Sequence, residues 1–252
     1  MELKELLPII RNKVSGKILN SANRRYCPMC QEFTKTIMVD ANNEILHLCH
    51  KCNYNHKYDW TKKPPIEFGT WGKFLKKKCE KPLVSVVILT FEGIGVTQNC
   101  LLSLIMCNRD EIDYEIIMVD NGSTDPEVKE FLNKLERIPD TNIKVVYNDT
   151  NRGVAGGRND GVAVAKGKYI FFVDNDVIFL KEGAIANLVH TIQDGYVIVG
   201  YNKGNFDWTE MPKADGGIPY VLGATMLVEK KEFDRVCGMS EDWGICHCDD
   251  VD

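Results

Sequence analysis

The stretch Lys168-Tyr-Ile-Phe-Phe-Val-Asp-Asn-Asp-Val-Ile178 decides how the larger part of this chain folds. Residues 169–173 are aromatic or β-branched, which is typical of a strand buried on both faces. The run ends in Asp174-Asn175-Asp176, and two carboxylates directly after a buried strand require solvent, a metal ion or a ligand. In an extended segment, Asp174 and Asp176 lie on the same face. The pattern fits a Mg²⁺ or Mn²⁺ site, and it fits an ordinary Asx turn equally well.

Three more strand-like runs precede this stretch, and helical stretches alternate with them. The strands are predicted at 84–90, 115–119, 143–147 and 169–173, and the helices at 97–107, 126–136 and 154–166. This alternation predicts an α/β fold with a doubly wound, mostly parallel sheet. Because the carboxyl ends of parallel strands share one edge, the polar groups after these strands should converge there.

Length and charge divide the chain into two modules. Its 252 residues suffice for one α/β domain plus a small module. Residues 1–81 carry 16 Lys and Arg against 8 Asp and Glu (+8), and residues 82–252 carry 15 against 28 (−13). We therefore predict an N-terminal helix and zinc ribbon at 1–60, a basic linker at 61–82 and the main domain at 83–252. The unequal charge indicates different partners for the two modules.

Ten cysteines and the N-terminal sequence bear on the compartment. Six of the cysteines show no spacing typical of a disulfide framework: Cys79, Cys100, Cys107, Cys237, Cys246 and Cys248. The N-terminus lacks the basic start and apolar centre of a signal peptide, and no apolar run reaches the roughly 18 residues that span a bilayer. We expect reduced thiols in a cytoplasmic protein without a membrane span.

The basic front contains a zinc-ribbon signature. Cys27 and Cys30, then Cys49 and Cys52, form two Cys-x-x-Cys pairs separated by 18 residues, a spacing that predicts a closed, structural Cys₄ zinc site. His47 and His50 are alternative ligands. Strands at 34–39 and 44–48 should form a hairpin between the pairs, and apolar residues at helical spacing predict an amphipathic helix over 2–19. Basic residues mixed with aromatics fit nucleic-acid contact, and a protein-docking ribbon fits as well.

Six motifs of the main domain, taken in order, resemble a family 2 glycosyltransferase with the GT-A fold. They are Val84–Thr90, Val119–Asp125, Asn151–Gly161, Phe172–Asp176, Gly223–Val228 and Asp249-Asp-Val-Asp252. The resemblance covers about residues 83–252, and the ribbon lies outside it. It implies a hexosyl- or pentosyltransferase that takes its sugar from a nucleotide-sugar donor, with Mn²⁺ or Mg²⁺ as cofactor.

The resemblance also implies roles for individual residues. On the donor side, Thr90 and Phe91 would line the nucleobase pocket, and Asp120 would accept a hydrogen bond from the base, favouring a UDP-sugar. Arg158 and Asn159 would flank the nucleotide, Asp174 would meet the ribose or the metal, and Asp176 would bind the metal in a DXD motif. On the acceptor side, Asp250 would be the general base of an inverting displacement, and Asp249 could share or tune that role.

Three departures from the family pattern affect these expectations. Phe91-Glu92-Gly93 replaces the family's usual Tyr-Asn, so the contacts to the base should differ. Cys246-His247-Cys248 precedes the base motif, where aromatics are usual, and it is either a second metal site or part of the cleft lining. The chain ends at Asp252, where family members continue with a helix and often a metal-binding His. Either the enzyme is short or the chain continues, and His247 is not assumed to replace that His.

Two other functions stay open from the sequence. A nucleotidyltransferase also uses a doubly wound sheet and paired Asp, but it normally carries a glycine-rich loop after the first strand, and Gly93-Ile-Gly95 is too sparse for one. A non-catalytic zinc-ribbon protein could bind nucleic acid and sense a nucleotide sugar. The presence of both Asp176 and Asp250 argues against it. The acceptor is expected to be DNA, another nucleic acid or a protein, held by the basic front.

Overall fold

A computed structural model describes most of the main domain and the strands of the front. Side chains are described for residues 71–72, 75, 77–108, 112–179, 182–201, 221 and 223–242, and backbone strands for 17–27, 32–41, 44–49, 55–57, 213–214 and 218–219. The front contains β1 (Lys17–Cys27), β2 (Glu32–Ala41), β3 (Glu44–Cys49) and β4 (Asn55–Lys57), arranged in that order as one antiparallel sheet.

The front contains the predicted hairpin, but the predicted helix before it does not extend to residue 19. Strands β2 and β3 form the predicted hairpin, in which Ala41 faces Glu44. The helix predicted over 2–19 is wrong at its end, because residues 17–19 belong to β1, where Ile18 faces Val39. Ladder pairing with β2 therefore outweighs the helical spacing of the apolar residues. Residues 2–16 lie outside the described residues.

The zinc site stays a prediction. Cys27 is the last residue of β1 and Cys49 is the last residue of β3, and these strands lie on either side of β2. Cys30, Cys52 and His50 lie outside the described residues, as does most of the proposed linker 61–82.

The main domain is built on a six-stranded mixed sheet. Its strands are β5 (Val84–Thr90), β6 (Tyr114–Asp120), β7 (Ile143–Tyr147), β8 (Tyr169–Asp174), β9 (Ile198–Gly200) and β12 (Thr225–Glu229), in the order β7-β6-β5-β8-β12-β9. A separate two-stranded ladder joins β10 (Lys213–Ala214) and β11 (Ile218–Pro219). Strands β7, β6, β5 and β8 are parallel, and β12 is antiparallel to β8 and β9. The four predicted strands are confirmed, with shifts of one residue at some ends.

Helices cover both faces of this sheet. They are α1 (Ile94–Cys107), α2 (Pro126–Glu136), α3 (Gly153–Ala163), α4 (Ala184–Gln193) and α5 (Lys230–Arg235). One core cluster contains residues of α1, α2 and α4, and the other contains residues of α3 and α5. Helix α2 has the predicted bounds, with the Asp125 side chain as its N-cap and Pro126 as its first residue. None of the described helices is both long and apolar enough to cross a membrane.

Helix α3 lies unusually close to the sheet, and glycines permit this approach. A Cβ at Gly157 would lie 2.4 Å from Leu89 Cδ1, and one at Gly161 would lie 2.5 Å from Val87 Cγ1. Any side chain at either position would push the helix away. Because α3 packs closely on the sheet, Arg158, which follows Gly157 in this helix, reaches the carboxyl end of β8.

Candidate active site

The register of the parallel strands gathers the predicted site residues at one edge of the sheet. Thr90 is paired with Asp120, and Asp120 is paired with Tyr147 on the other side. Asp174 is paired with Leu89. Because Leu89 and Thr90 are consecutive in β5, their side chains lie on opposite faces. The edge therefore carries Asp120 on the face of α1 and α2, and Asp174 on the face of α3.

Asp120 and Thr90 form a buried polar pair on the first face. Asp120 is 1% exposed, and its Oδ1 accepts a hydrogen bond from Ser123 N at 2.9 Å. The Thr90 hydroxyl is fully buried and has no hydrogen-bond partner among the described residues. Phe91, directly after Thr90, is 46% exposed. A carboxylate acceptor, a hydroxyl and an exposed aromatic side chain therefore lie at two adjacent strand ends, which is a suitable lining for a planar polar ring.

Asn121 organises the loops behind this pair, and the sequence analysis missed it. Its Nδ2 donates to Asn151 Oδ1 and to Gly153 O, both at 2.9 Å. Its Oδ1 accepts from Asn148 Nδ2 and from Arg152 N, both at 3.1 Å. The side chain is buried and uses all its donors and two acceptor positions. It thereby fixes the loop that leads from β7 into α3.

Arg158 holds Asp174 on the second face. Its Nη2 donates to Asp174 Oδ1 and to Gly223 O, both at 2.8 Å, and its guanidinium lies 5.5 Å from the centre of the Phe172 ring. The Arg158 side chain is 2% exposed, and that of Asp174 is 39% exposed. One buried guanidinium thus connects the end of β8 with the start of the segment that leads into β12. Direct contact of Arg158 with a nucleotide stays a prediction.

The chain turns directly after Asp174. Residues Asn175 and Asp176 form a turn, closed by a hydrogen bond from Val177 N to Asp174 O at 3.1 Å. The expectation that Asp174 and Asp176 share a face depends on the alternation of an extended strand. Because the chain turns, that alternation stops at Asp174. Burial raises the pKa of the Cys100 thiol, and the charges of Asp176 and Asp174 raise it further. Both carboxylates therefore lie near the same buried thiol.

Small polar and cysteine side chains of α1 and its C-cap form hydrogen bonds with this turn and with the chain after it. Thr97 Oγ1 accepts from Asn175 Nδ2 at 3.0 Å, and Cys100 Sγ donates to Asp174 O at 3.4 Å. Further along the helix, Ser103, Cys107 and Asn108 bond the backbone of Phe179 and Ile185. Thr97, Cys100, Ser103 and Cys107 recur at every third or fourth position of α1, and this spacing is the sequence signal that could have revealed them.

The turn offers donors that suit a hard divalent cation. Asp176 is exposed, no described residue forms an ion pair with it, and Asp174 keeps one oxygen beyond the one that Arg158 binds. Carboxylate oxygens are the ligands that Mg²⁺ and Mn²⁺ prefer. Within the described ranges, no group of three or more His, Cys, Asp and Glu is gathered as a metal site. The turn therefore fits a cation that completes its coordination with water and phosphate oxygens.

A second network holds the segment that leads toward the proposed general base. Asn159 Nδ2 donates to Met239 O at 2.9 Å, and its Oδ1 accepts from Met239 N at 3.0 Å. Glu241 accepts from Asn159 Nδ2 at 3.1 Å and pairs with Arg152 Nη2 at 2.9 Å. Arg152 also pairs with Asp160. Asn159 thus fastens residues 239–241 onto α3, and its expected place beside the nucleotide stays a prediction. We call Arg152, Asn159 and Glu241 the α3 latch.

Several predicted site residues lie outside the described residues. These are Asp249 and Asp250, together with Cys246, His247 and Cys248. Their roles stay predictions. Glu241 and Asp242 are the last described residues before them.

Residues 85–240, more than half of the chain, match the family model described as Glycosyl transferase family 2. The glycosyltransferase GlyG of Streptococcus pneumoniae serotype 4 is 31% identical over 165 residues, which are 64% of this chain and 51% of that protein. A UDP-Glc:alpha-D-GlcNAc-diphosphoundecaprenol beta-1,3-glucosyltransferase, WfaP of Escherichia coli, is 32% identical over 124 residues, 48% of this chain and 45% of that protein. The chain spans about half the length of these curated relatives.

Solved structures share the fold. The mannosyltransferase PcManGT from Pyrobaculum calidifontis, in complex with GDP-Man and Mn²⁺, superposes with a TM-score of 0.56. It is 22% identical, and the match covers 69% of this chain and 54% of that one. GalNAc-T7 with UDP, GalNAc and Mn²⁺ gives a TM-score of 0.52 at 18% identity, over 66% of this chain and 38% of that one. These similarities support the expected GT-A-type α/β fold.

Proposed function

Because this chain belongs to glycosyl transferase family 2, we propose that it transfers a sugar from a nucleotide sugar to an acceptor hydroxyl. The observation that carries the proposal is the polar edge of the sheet. A buried polar pair, Asp120 and Thr90, and a carboxylate turn, Asp174–Asp176, lie at adjacent strand ends. Open α/β sheets bind their ligands outside the carboxyl ends of strands, where these groups lie.

The donor in this proposal is a UDP-sugar. Asp120 is a buried acceptor, so it favours a base that presents an N–H group, as uracil does at N3. The Thr90 hydroxyl supplies a further hydrogen-bonding group, and Phe91 covers the ring. The name of WfaP specifies UDP-Glc, which supports a uridine nucleotide, whereas PcManGT was solved with GDP-Man. Guanine also presents N–H groups, so the choice of base requires measurement.

In the proposed reaction, Asp174 and Asp176 would hold a divalent cation, which would supply positive charge to offset that of the departing diphosphate. Arg158 keeps Asp174 in place through a partly buried ion pair. Asp250 removes the proton of the acceptor hydroxyl, which attacks the sugar carbon from the side opposite the diphosphate. A single displacement of this kind inverts the anomeric carbon, and Asp249 supports or replaces Asp250.

The proposed acceptor is a polyanion, or is attached to one, with nucleic acid preferred over protein. The main domain carries a formal charge of −13 and will not attract a polyanion, whereas residues 1–81 carry +8. Four zinc-bound thiolates around one Zn²⁺ would subtract only about two charges from that front. Holding the acceptor beside the sugar site raises its effective concentration. A DNA base that carries a modifiable hydroxyl is one such acceptor.

Activity on a panel of nucleotide sugars tests the proposed function. The intact chain with Mn²⁺ should slowly release UDP from a UDP-sugar when water replaces the acceptor, as followed by mass spectrometry. Asp250→Asn should lower this turnover by about 10²-fold while UDP binding persists, since general-base assistance is typically of that size. Release of pyrophosphate from nucleoside triphosphates would indicate a nucleotidyltransferase instead. Binding without any turnover would indicate a sensor.

Zinc and salt test the proposed front module. Elemental analysis should find about one Zn²⁺ per chain, and Cys30→Ser should lose it. Binding of DNA or RNA should weaken log-linearly with salt, because cationic side chains release counterions from the phosphates. Zinc retained in Cys30→Ser would contradict the ribbon. No affinity for DNA or RNA at low salt would leave a protein-docking or purely structural front.

A further inference from the structure

Glu92, directly after β5, adopts a backbone conformation that is rare for its residue type. Its φ is +55°, in the left-handed region that non-glycine residues seldom occupy. Such a conformation costs about 1 kcal/mol or more and persists only where the surroundings enforce it. The neighbouring Gly93, with a φ of +63°, is a glycine and carries no such strain. Glu92 therefore marks a place where side-chain contacts, rather than local preference, set the loop.

The Glu92 carboxylate supplies those contacts. Oε1 accepts from Thr124 N at 2.6 Å and from Thr124 Oγ1 at 2.8 Å, and Oε2 accepts from Asp125 N at 3.0 Å. The hydrogen bonds from Thr124 hold the pKa of Glu92 below its usual range. Both oxygens are thus used to tie the loop after β5 to the loop after β6.

A backbone link extends this clamp to the proposed base contact. Glu92 N donates to Ser123 Oγ at 3.0 Å, and Ser123 N donates to Asp120 Oδ1 at 2.9 Å. Ser123 and Asp120 are each 1% exposed, so solvent does not compete with the bond between them, and the bond from Glu92 N is partly buried. Glu92, Ser123 and Asp120 therefore form one chain of contacts from the loop surface to the buried carboxylate.

The orientation of Asp120 has a chemical consequence. One of its oxygens is used by Ser123, so the other oxygen is the one that can accept from a ligand. An ionised carboxylate only accepts hydrogen bonds, so it matches the N3–H of uracil and opposes the N3 lone pair of cytosine. A carboxylate free to rotate would discriminate between the two bases less well, because each oxygen could avoid the mismatch.

We propose that Glu92 is a positioning residue that fixes Asp120 through Ser123 and thereby determines how strongly the site prefers UDP over CDP. The inference rests on the proposed function, since it requires a nucleotide at Asp120. It assigns a role to the position at which this chain departs from the family pattern. Glu92 need not touch the nucleotide, because it acts through the loop that it clamps.

Calorimetry of UDP and CDP binding to the full chain, with Mn²⁺, tests the proposal in the wild type and three variants. Glu92→Gln keeps the size of the side chain but presents an amide N–H to the loop donors. Glu92→Gly removes the carboxylate and accepts the positive φ without strain. The control Glu130→Gln removes an exposed carboxylate of α2 whose partner is Lys134.

Both Glu92 variants should bind UDP about tenfold more weakly, as expected when hydrogen bonds to a charged group are lost. CDP binding should change by less than about threefold, so the ratio of the two affinities falls. The control should keep wild-type affinities and ratio. A merely structural clamp would weaken both nucleotides equally or lower only the melting temperature.

An unchanged UDP-to-CDP ratio in folded Glu92→Gly would overturn the proposal. A wild-type chain that binds neither nucleotide would refute the proposed function itself, which separates the two failures. Ser123→Ala adds a further check. Because Ser123 transmits the effect, its loss should be non-additive with Glu92→Gln on the UDP-to-CDP ratio. Fully additive effects of the two substitutions on this ratio would show that Glu92 does not act on Asp120 through Ser123.

Discussion

The donor edge of the sheet and the segment after α5 are held by two different kinds of contact. At the donor edge, the central groups Asn121, Arg158 and Asp120 are each at most 2% exposed. In the α3 latch, Arg152 and Glu241 have side chains that are 41% and 45% exposed. Buried hydrogen bonds are costly to break, whereas exposed ion pairs contribute little. The contacts at the carboxyl edge of the sheet should therefore cost more to break than the exposed ion pair of Arg152 with Glu241.

The largest expected effect is the loss of the buried frame at Asn121. Asn121→Ala removes four hydrogen bonds, of which the one to Gly153 O is buried and the other three are partly buried. We expect the free energy of unfolding to fall by about 3 kcal/mol, since each buried unsatisfied group costs about 1–3 kcal/mol. Urea denaturation measures it. Asn133→Ala, an exposed change on α2, should cost less than about 0.5 kcal/mol. Equal losses in the two variants would refute the buried frame.

A smaller effect is expected at Arg158. Arg158→Met keeps the length of the buried stem but removes the bonds to Asp174 Oδ1 and Gly223 O. Because Asp174 is partly exposed and can be hydrated, we expect a loss of about 2 kcal/mol, below the range for fully buried pairs. The metal-dependent part of UDP binding should weaken with it, as calorimetry would show. Arg235→Met, which loses only an exposed pair with Glu232, is the control. Unchanged Mn²⁺ dependence would show that Arg158 does not position Asp174.

The latch should have the smallest effect on stability. Glu241→Gln removes an ion pair with Arg152 whose two side chains are largely exposed, so the free energy of unfolding should fall by less than about 1 kcal/mol. If the latch positions the segment that leads to Asp250, turnover on a UDP-sugar should fall while UDP affinity stays unchanged. A loss of more than about 2 kcal/mol would remove the contrast between the two regions.

The same variant should lose its effect in acid. The hydrogen bond from Asn159, and then the bond and charge of Arg152, hold the pKa of Glu241 below its usual range. A carboxyl whose pKa is lower in the folded state stabilises the fold at pH values above its unfolded pKa, and that contribution is lost as the pH falls through the folded pKa. The difference between wild type and Glu241→Gln in thermal unfolding should therefore be present at pH 7 and vanish toward pH 3. A difference that persists at pH 3 would assign it to packing rather than charge.

The sequence predicted the frame well because burial leaves a local signal. The apolar runs at 84–90 and 143–147 are strands with those bounds, and the helix at 126–136 begins at Pro126 with its Asp125 cap. The edge of polar residues followed from the parallel order of the strands. At residues 17–19, strand pairing with β2 outweighed helical spacing, and no local pattern indicates such a partner.

The contacts inside the site could not be predicted, because they join residues that are distant in sequence. Asn159 and Met239 are 80 positions apart, and Thr97 and Asn175 are 78 apart. The partner in such a hydrogen bond cannot be predicted from either segment alone. No local pattern distinguishes Asn121 from its neighbours in the loop, although its side-chain amide forms four hydrogen bonds.

Calorimetry of UDP binding with and without Mn²⁺ tests whether the carboxyl edge of the sheet is a metal-assisted nucleotide site. The wild-type chain should bind UDP more tightly with Mn²⁺. Asp176→Asn should keep the metal-independent affinity and lose the gain from Mn²⁺, because the exposed carboxylate of the turn is removed. The control Asp113→Asn, exposed beside the amino end of β6, should match the wild type. If Asp176→Asn keeps the full gain from Mn²⁺, or if the wild type does not bind UDP, this edge is not the proposed metal-assisted nucleotide site.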